Sequence, residues 1–398
     1  MDFKNKILGV FFFLTIIGLA PVSAQQVEIS LLTCAPGADL YSAFGHSAIR
    51  VRERDTGRDL VFNYGTFDFD TPFFLVKFAR RTLDYQLSIT TYERFVRAYA
   101  AEERNMSEQV LALNPQQAQA MRDFLDINYL PDQRSYRYDF FFDNCATRIR
   151  DVLASILGEQ LIWNDPQPVA EERTFRDLID EYILSKVWAD FGIDLALGAV
   201  IDVEASPYDA QFLPDYMAAA FARAEIQGDG PTRSLVKETR TILPFPPVAT
   251  SGWGLFNPYL LLWLLAIIFG VMTYLGFKRK RLYIGMDIGL FGLLGVLGVV
   301  MFLLWFATDH VATKWNWNLL WAFPGHLILA KGLLAKSLKP WVRKYLLFAL
   351  IMADAAVVFW ILGWQSFHPS LVPLLLVIIL RSNYLYYNVE RMKAFAKK

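Results

Sequence analysis

Between residues 257 and 398 the chain carries five long apolar stretches, and no water-soluble fold of ordinary size can hide that much hydrocarbon. Tyr259–Phe277 is uncharged, and Leu282–Ala307 holds only Asp287. Trp317–Ala335 is broken up by Pro324, His326 and Lys331; Tyr345–Trp364 contains Asp354, and Pro369–Tyr387 contains Arg381. A helix of ~20 residues crosses a bilayer core, so each stretch is read as a span. The sequence therefore predicts a five-helix transmembrane domain over residues 259–398.

Charge supplies the orientation. The formal net charge of zero averages two unlike halves. Residues 1–256 hold 35 acids and 24 bases, whereas residues 257–398 hold 4 acids and 15 bases. Basic clusters fall at alternate ends of the spans: Lys278–Arg281, then Lys336 to Lys344, then Arg391 to Lys398. The positive-inside rule puts these ends, and the C-terminus, in the cytoplasm. At the other end of the chain, Lys4 and Lys6 precede an apolar run from Ile7 to Leu19, and Val22-Ser23-Ala24 has the small-residue pattern of a cleavage site. Residues 1–24 are thus read as a signal peptide, cut after Ala24. The two signals independently imply one topology: an exported domain held at a membrane, with the C-terminus in the cytoplasm. Neither half has the basic, aromatic-interleaved face of a nucleic-acid binder.

In the exported part, alternating apolar residues mark strands near Val27–Thr33, Ala43–Arg52, Leu60–Tyr64 and Gln86–Thr91. Helical patterns follow at Tyr92–Glu103, Pro115–Asn128, Asn144–Leu157, Thr174–Ser185 and Tyr208–Ala224. Strands early and helices late predict an α+β domain over residues 25–243. The Pro- and Gly-rich stretch over residues 244–258 reads as a linker to the membrane.

Chemistry concentrates at Cys145. It stands at the start of a helix in Phe-Phe-Phe-Asp-Asn-Cys-Ala-Thr-Arg, where the helix dipole favours a thiolate. His46, near the middle of an expected strand, can supply the base, and the first N–H groups of the helix can stabilise an oxyanion. Asn63, in Val-Phe-Asn-Tyr-Gly on the next strand, can orient the histidine; Tyr64 and Asp143 compete for that role. The bland alternative is a buried cysteine and a strand histidine satisfied in the core. Cys34 ends a strand with no helix after it and reads as structural. In an oxidising compartment Cys34 and Cys145 could instead form a disulfide. The four histidines are too scattered for a zinc site, and no metal or other cofactor is expected.

Four motifs sharpen the reading: Gly37, the run Tyr41-Ser42-Ala43-Phe44-Gly45-His46-Ser47-Ala48-Ile49-Arg50, Phe142-Asp143-Asn144-Cys145-Ala146-Thr147-Arg148, and Phe212-Leu213-Pro214-Asp215-Tyr216. The order of a histidine strand, further strand and Asn-Cys at a helix start resembles the circularly permuted NlpC-type papain-like fold. The motifs together resemble the exported domain of the Bacteroidota lipoprotein N-acyltransferase (Lnb) family, which also carries a multi-span C-terminal domain. The resemblance implies that Cys145 and His46 are the catalytic pair. It implies a lipoprotein N-acyltransferase that moves an acyl chain from a phospholipid, through a Cys145 thioester, to the α-amine of a diacylglyceryl-cysteine lipoprotein.

Substrate-binding candidates follow from that reading. Arg50, Arg148 and Arg150 could hold a lipid phosphate, though ordinary ion pairing explains them equally well. Tyr64 adjoins the expected site. Asp309, His310, Asn316 and Asn318 lie at the outer membrane interface and could line a headgroup site. Asp287, Asp354 and His326 are polar residues within spans, where helix–helix hydrogen bonding is a sufficient explanation. Two rivals stay open: a membrane-anchored peptidoglycan endopeptidase or amidase using the same nucleophile, and a non-catalytic membrane assembly or sensor protein.

Overall fold

A computed structural model describes residues 27–164, 173–228, 230–246, 254–335 and 339–392. The expected signal peptide lies outside the described residues. Ten strands run in chain order: β1 (Val27–Cys34), β2 (His46–Glu53), β3 (Arg58–Thr66), β4 (Asp84–Thr91), β5 (Met106–Leu111), β6 (Ser135–Arg137), β7 (Leu161–Ile162), β8 (Glu225–Ile226), β9 (Arg233–Ser234) and β10 (Val236–Leu243). Seven helices belong to the same part: α1 (Phe74–Ala79), α2 (Tyr92–Ala101), α3 (Pro115–Asn128), α4 (Cys145–Leu157), α5 (Phe175–Ile183), α6 (Val187–Ala196) and α7 (Pro214–Arg223). The main sheet has seven antiparallel strands in the order β10-β5-β1-β2-β3-β4-β6, and β7, β8 and β9 make a small second sheet. This is the expected α+β architecture.

Alternation on the strands splits the core in two. Ile29, Leu31, Ile49, Val51, Phe62 and Tyr64 face α3, α4 and α7 in the larger core, which also takes in Cys145. Leu32, Cys34, Ala48 and Val61 face the other way, against Phe95 of α2. The chain starts several helices as its capping residues dictate. Asn114, followed by Pro115, makes a capping box with Gln117, and Asn144 makes one with Thr147. Strands β5, β6 and β10 and helix α1 carry patterns too short or too polar to have been read from periodicity, and α6 is a further, apolar helix that was not expected. Their existence depends on neighbours, as with β10, which pairs with β5 at the sheet edge.

The membrane half departs from expectation. Among the described residues, four helices are long and apolar enough to cross a bilayer: α8 (Pro258–Arg279), α9 (Ile284–Phe306), α11 (Pro340–Ile361) and α12 (Leu371–Met392). The expected third span, Trp317–Ala335, is instead a single 3-10 turn at Trp317–Leu320 followed by the eight-residue helix α10 (His326–Leu333). At 1.5 Å per residue α10 is far too short to span. Pro324 supplies no N–H and its ring crowds the carbonyl one turn back, so no continuous helical ladder runs through the segment. Asp287, Arg381 and His326, polar residues within the membrane half, make internal contacts. Arg381 donates two hydrogen bonds of 2.7 Å to Asp287 and a third of 2.7 Å to Thr273, tying α12 to α9 and α8. His326 meets the Trp321 carbonyl and the Tyr345 hydroxyl, each at 3.2 Å. Asp354 lies on an exposed face of α11.

The two halves are docked, not merely tethered. The Gly198 N–H donates to the Ala312 carbonyl at 2.8 Å, and the Ala199 N–H to that of Trp315 at 3.0 Å. A Cβ on Gly198 would lie 1.9 Å from the Lys314 carbonyl oxygen, so only glycine permits this approach. His368, just before α12, lies 3.2 Å from the buried Asp190 of α6. The outer loop between α9 and α10 therefore belongs structurally to both halves.

Candidate active site

Cys145 is the first residue of α4, with Asn144 as its N-cap. The Asn144 side chain does three things at once. Its oxygen accepts the Ala146 and Thr147 N–H groups at 2.8 and 2.9 Å, while its amide donates to the carbonyls of Phe140 and Phe212 at 2.7 and 2.8 Å. One side chain thus fixes the start of the helix, the turn before it and the segment before α7. Phe44 packs on Phe140 (centroids 4.7 Å) and Phe140 on Phe212 (5.6 Å), so three motifs widely separated in the chain meet here. The first turn of α4 is less open than expected, because the cap consumes two of its free amides. The Cys145 N–H has no acceptor among the hydrogen bonds of the described residues.

His46 opens β2 and does not sit within it, because Ala43–Gly45, where the strand was expected to begin, continue the turn after the 3-10 turn Leu40–Ser42, with Gly45 at φ +76°. Its ring reaches Cys145 on one side and Asn63 on the other. The Nε2–H donates to Asn63 Oδ1 at 2.5 Å, which leaves Nδ1 for the thiol. Strand alternation decides between Asn63 and its neighbour: Asn63 shares the face of Val61, whereas Tyr64 turns into the larger core and donates to Asn128 at 2.6 Å. A bulge in β3 between Asn63 and Thr66 re-aims the strand at this point. Gly65, at φ +85°, lies in the bulge, and a Cβ there would touch Tyr138 at 3.6 Å and the Cys145 Cβ at 3.7 Å.

Electrostatics fit a nucleophile. Burial opposes charge on both partners, yet the mutual attraction and hydrogen bond of Cys145 and His46 outweigh it. The thiol is lowered below its ordinary value and the imidazole raised above its own. Backbone N–H groups of Ser47 and Ala146 further stabilise the sulfur anion, and the Asn63 bond helps raise the imidazole. This favours a thiolate–imidazolium pair. Cys34 is the opposite case. Burial pushes its thiol up to about 12, against the opposing pull of Arg104, and both cysteines are free thiols.

The remaining sequence candidates are placed as follows. Arg50 is buried in a double ion pair with Asp59 (2.6 Å) and Glu108 (2.9 Å) and stacks on Tyr92 at 3.4 Å. Arg148 pairs with Asp143 at 2.5 Å and lies 3.7 Å over Tyr136, close to Cys145 but engaged. Arg150 pairs with Asp151 and stacks on Tyr208. Asn316 is fully buried and donates to the carbonyls of Leu195 and Ala196 at 2.8 and 3.1 Å, closing the C-terminal end of α6. Asn318 donates to the Asp194 carbonyl. His310 lies against the backbone of Phe78 and Ala79, with burial lowering its ring below the ordinary histidine range. The loop residues thus clamp the two halves together and do not gather around Cys145. Tyr99 and Tyr138 are the residues that sequence reasoning missed. Tyr99 stacks on His46 (6.4 Å) and bonds Cys34, while Tyr138 covers the Cys145 side of Gly65 and stacks on Tyr85 at 4.5 Å. Neither stands in a motif; only Gly65, unusual within a strand, hinted at a close approach.

Residues 17–180 match the family model described as the Lnb N-terminal periplasmic domain, and residues 249–393 match that of the Lnb transmembrane domain. The chain belongs to the Lnb family. His46, Asn63 and Cys145 all fall within the first match, and all four long helices begin within the second. A periplasmic domain joined to a transmembrane domain makes this Lnb protein an inner-membrane protein. No curated protein and no solved structure matches the chain.

Proposed function

We propose that the chain is a lipoprotein N-acyltransferase in which Cys145 carries the acyl group. The observation that carries this reading is the buried Cys145–His46–Asn63 relay, in a domain docked onto membrane helices of an Lnb-family protein. In the first half-reaction the Cys145 thiolate attacks the ester carbonyl of a phospholipid. The tetrahedral oxyanion is met by the unused Cys145 N–H at the positive end of α4. Collapse breaks the C–O bond, His46 gives its proton to the departing glycerol oxygen, and lysophospholipid leaves behind a Cys145 thioester.

In the second half-reaction the free α-amine of a diacylglyceryl-cysteine attacks the thioester. His46 takes the amine proton, the C–S bond breaks, and an amide forms with the thiolate restored. Asn63 holds the imidazole with Nδ1 toward sulfur throughout. Both substrates lie in the outer leaflet of the inner membrane, which gives a physical reason for a catalytic domain docked at that surface. The histidine strand, the next strand and the cysteine helix occur in the order of the permuted papain-like arrangement, and we assign the domain to that class. The basic clusters at alternate ends of the spans support a cytoplasmic C-terminus.

The test is mass spectrometry of lipoproteins from cells carrying Cys145→Ser or His46→Ala. Loss of the N-linked acyl chain in both is expected; unchanged N-acylation in both refutes the proposal. Digestion of muropeptides by the wild-type chain would instead support a cell-wall hydrolase.

A further inference from the structure

A cavity of about 450 Å³ lies between the exported domain and the outer loop of the membrane half. Its walls include Phe44, Phe78, Tyr138, Ile179, Ile193 and Leu304, the last from the outer end of α9. That size is in the range of small-molecule sites, roughly 300–1,000 Å³. The charged side chains in the lining are already spent. Arg81 and Asp139 pair at 2.8 Å, Arg81 also donates to the carbonyls of Tyr138 and Asp309, and His310 is held by the backbone of α1. Such a lining offers nothing to a headgroup or a peptide and suits a hydrocarbon chain. Tyr138 touches both places: it lines the cavity and packs beside Gly65 and Cys145.

A second observation says where the occupant comes from. Helix α1 and the turn before it expose Phe69, Phe73, Leu75, Val76 and Phe78, with Phe73 81% and Leu75 77% exposed. A soluble domain does not leave such a cluster in water. The segment is pinned at the outer end of α9, where the Asp309 N–H donates to the Arg80 carbonyl at 3.0 Å. Trp305, Trp315 and Trp317 cluster at the same end, as an aromatic belt requires. Phe78 belongs to both features, being exposed on α1 and a wall of the cavity.

We propose that this cavity holds the acyl chain of the donor phospholipid, and that residues 67–79 rest in the outer leaflet as its lateral entrance. The inference rests on the acyl-transfer reading of Cys145, and its main test does not require catalysis. Full-length Cys145→Ser protein is placed in phosphatidylethanolamine vesicles containing a phosphatidylethanolamine with a photoreactive diazirine in one acyl chain. After irradiation, adducts are mapped by peptide mass spectrometry. Adducts are expected on Phe78, Ile179, Ile193 or Leu304 in excess of those on the lipid-facing sides of α8 and α11. Adducts confined to α8, α11 and α12 overturn the proposal. Leu75→Glu with Val76→Glu, both exposed, is expected to cut the cavity adducts severalfold in vesicles; unchanged labelling removes the entrance.

In protein with Cys145 intact, Ala312→Phe narrows the cavity. It is expected to raise the ratio of octanoyl to hexadecanoyl loading on Cys145 by about tenfold or more, since single methylenes in an apolar pocket discriminate on that scale. An unchanged ratio in acylated variant protein counts against the cavity. Cavity labelling without any acylation of wild-type Cys145 would leave the lipid site standing and remove the acyl-transfer reading.

Discussion

Replacing Asn63 by alanine isolates the part of the relay that owes least to the nucleophile itself. The substitution deletes one acceptor, 2.5 Å from His46 Nε2, and leaves the strand pairing of β3 untouched because that pairing uses backbone groups. A hydrogen bond to a charged group contributes ~1.5–3 kcal/mol. At ~1.4 kcal/mol per decade, acylation of Cys145 should slow by roughly 10- to 150-fold. The pH profile should move in a stated direction. Asn63 is among the groups that raise His46, so its loss lowers the imidazole and brings the alkaline limb of the acylation profile to lower pH. Asn63→Asp keeps an acceptor and adds a charge, so it should retain most of the rate and move that limb upward. The assay is the rate of mass gain on Cys145 of full-length protein mixed with phospholipid vesicles, followed from pH 5 to 10. A rate for Asn63→Ala within about twofold of wild type, with an unmoved alkaline limb, would refute the assignment of Asn63 as the positioning residue.

Three further outcomes are expected. Burial, reinforced by Asp194 and Asp190, raises the Asp180 carboxyl to about 7, so its stabilising neutral form is fully present below the unfolded carboxylate value and is lost as pH rises through 7. The melting temperature in detergent should therefore fall between pH 5 and pH 8 by more in the wild type than in Asp180→Asn, and equal falls would contradict this. Gly198→Ala forces a methyl onto the Lys314 carbonyl and should cost at least ~1–3 kcal/mol, seen as earlier proteolysis at the junction of the two halves; a wild-type pattern would deny the docking role. Arg381→Met leaves Asp287 buried without its partner and should destabilise by ~3–5 kcal/mol, whereas Arg381→Met with Asp287→Leu should recover much of the loss, as thermal unfolding in detergent can show.

The sequence by itself determined which parts of the chain meet water and which meet lipid, since that depends on composition summed over some twenty residues. It also determined the helix starts at Asn114 and Asn144, because capping needs only neighbours in the chain. The Cys145 and His46 candidates were legible for the same local reason: a thiol after an N-cap, and a histidine within an alternating strand pattern. Asn63 was one of three possibilities until alternation and a bulge in β3 set its direction. Other features were decided only in three dimensions. The 317–335 stretch has nearly the composition of a span, but Asn318 found a partner in the exported domain, and the stretch is broken into a 3-10 turn and a short helix. Arg50 and Asn316 looked available for substrate until Glu108, Asp59 and the end of α6 came within reach. Side chains of Tyr99 and Tyr138 reach the site from positions with no motif of their own. The cavity between the two halves is equally invisible in the sequence. Its walls come from elements more than two hundred residues apart, and only packing brings Phe44 and Leu304 to the same space.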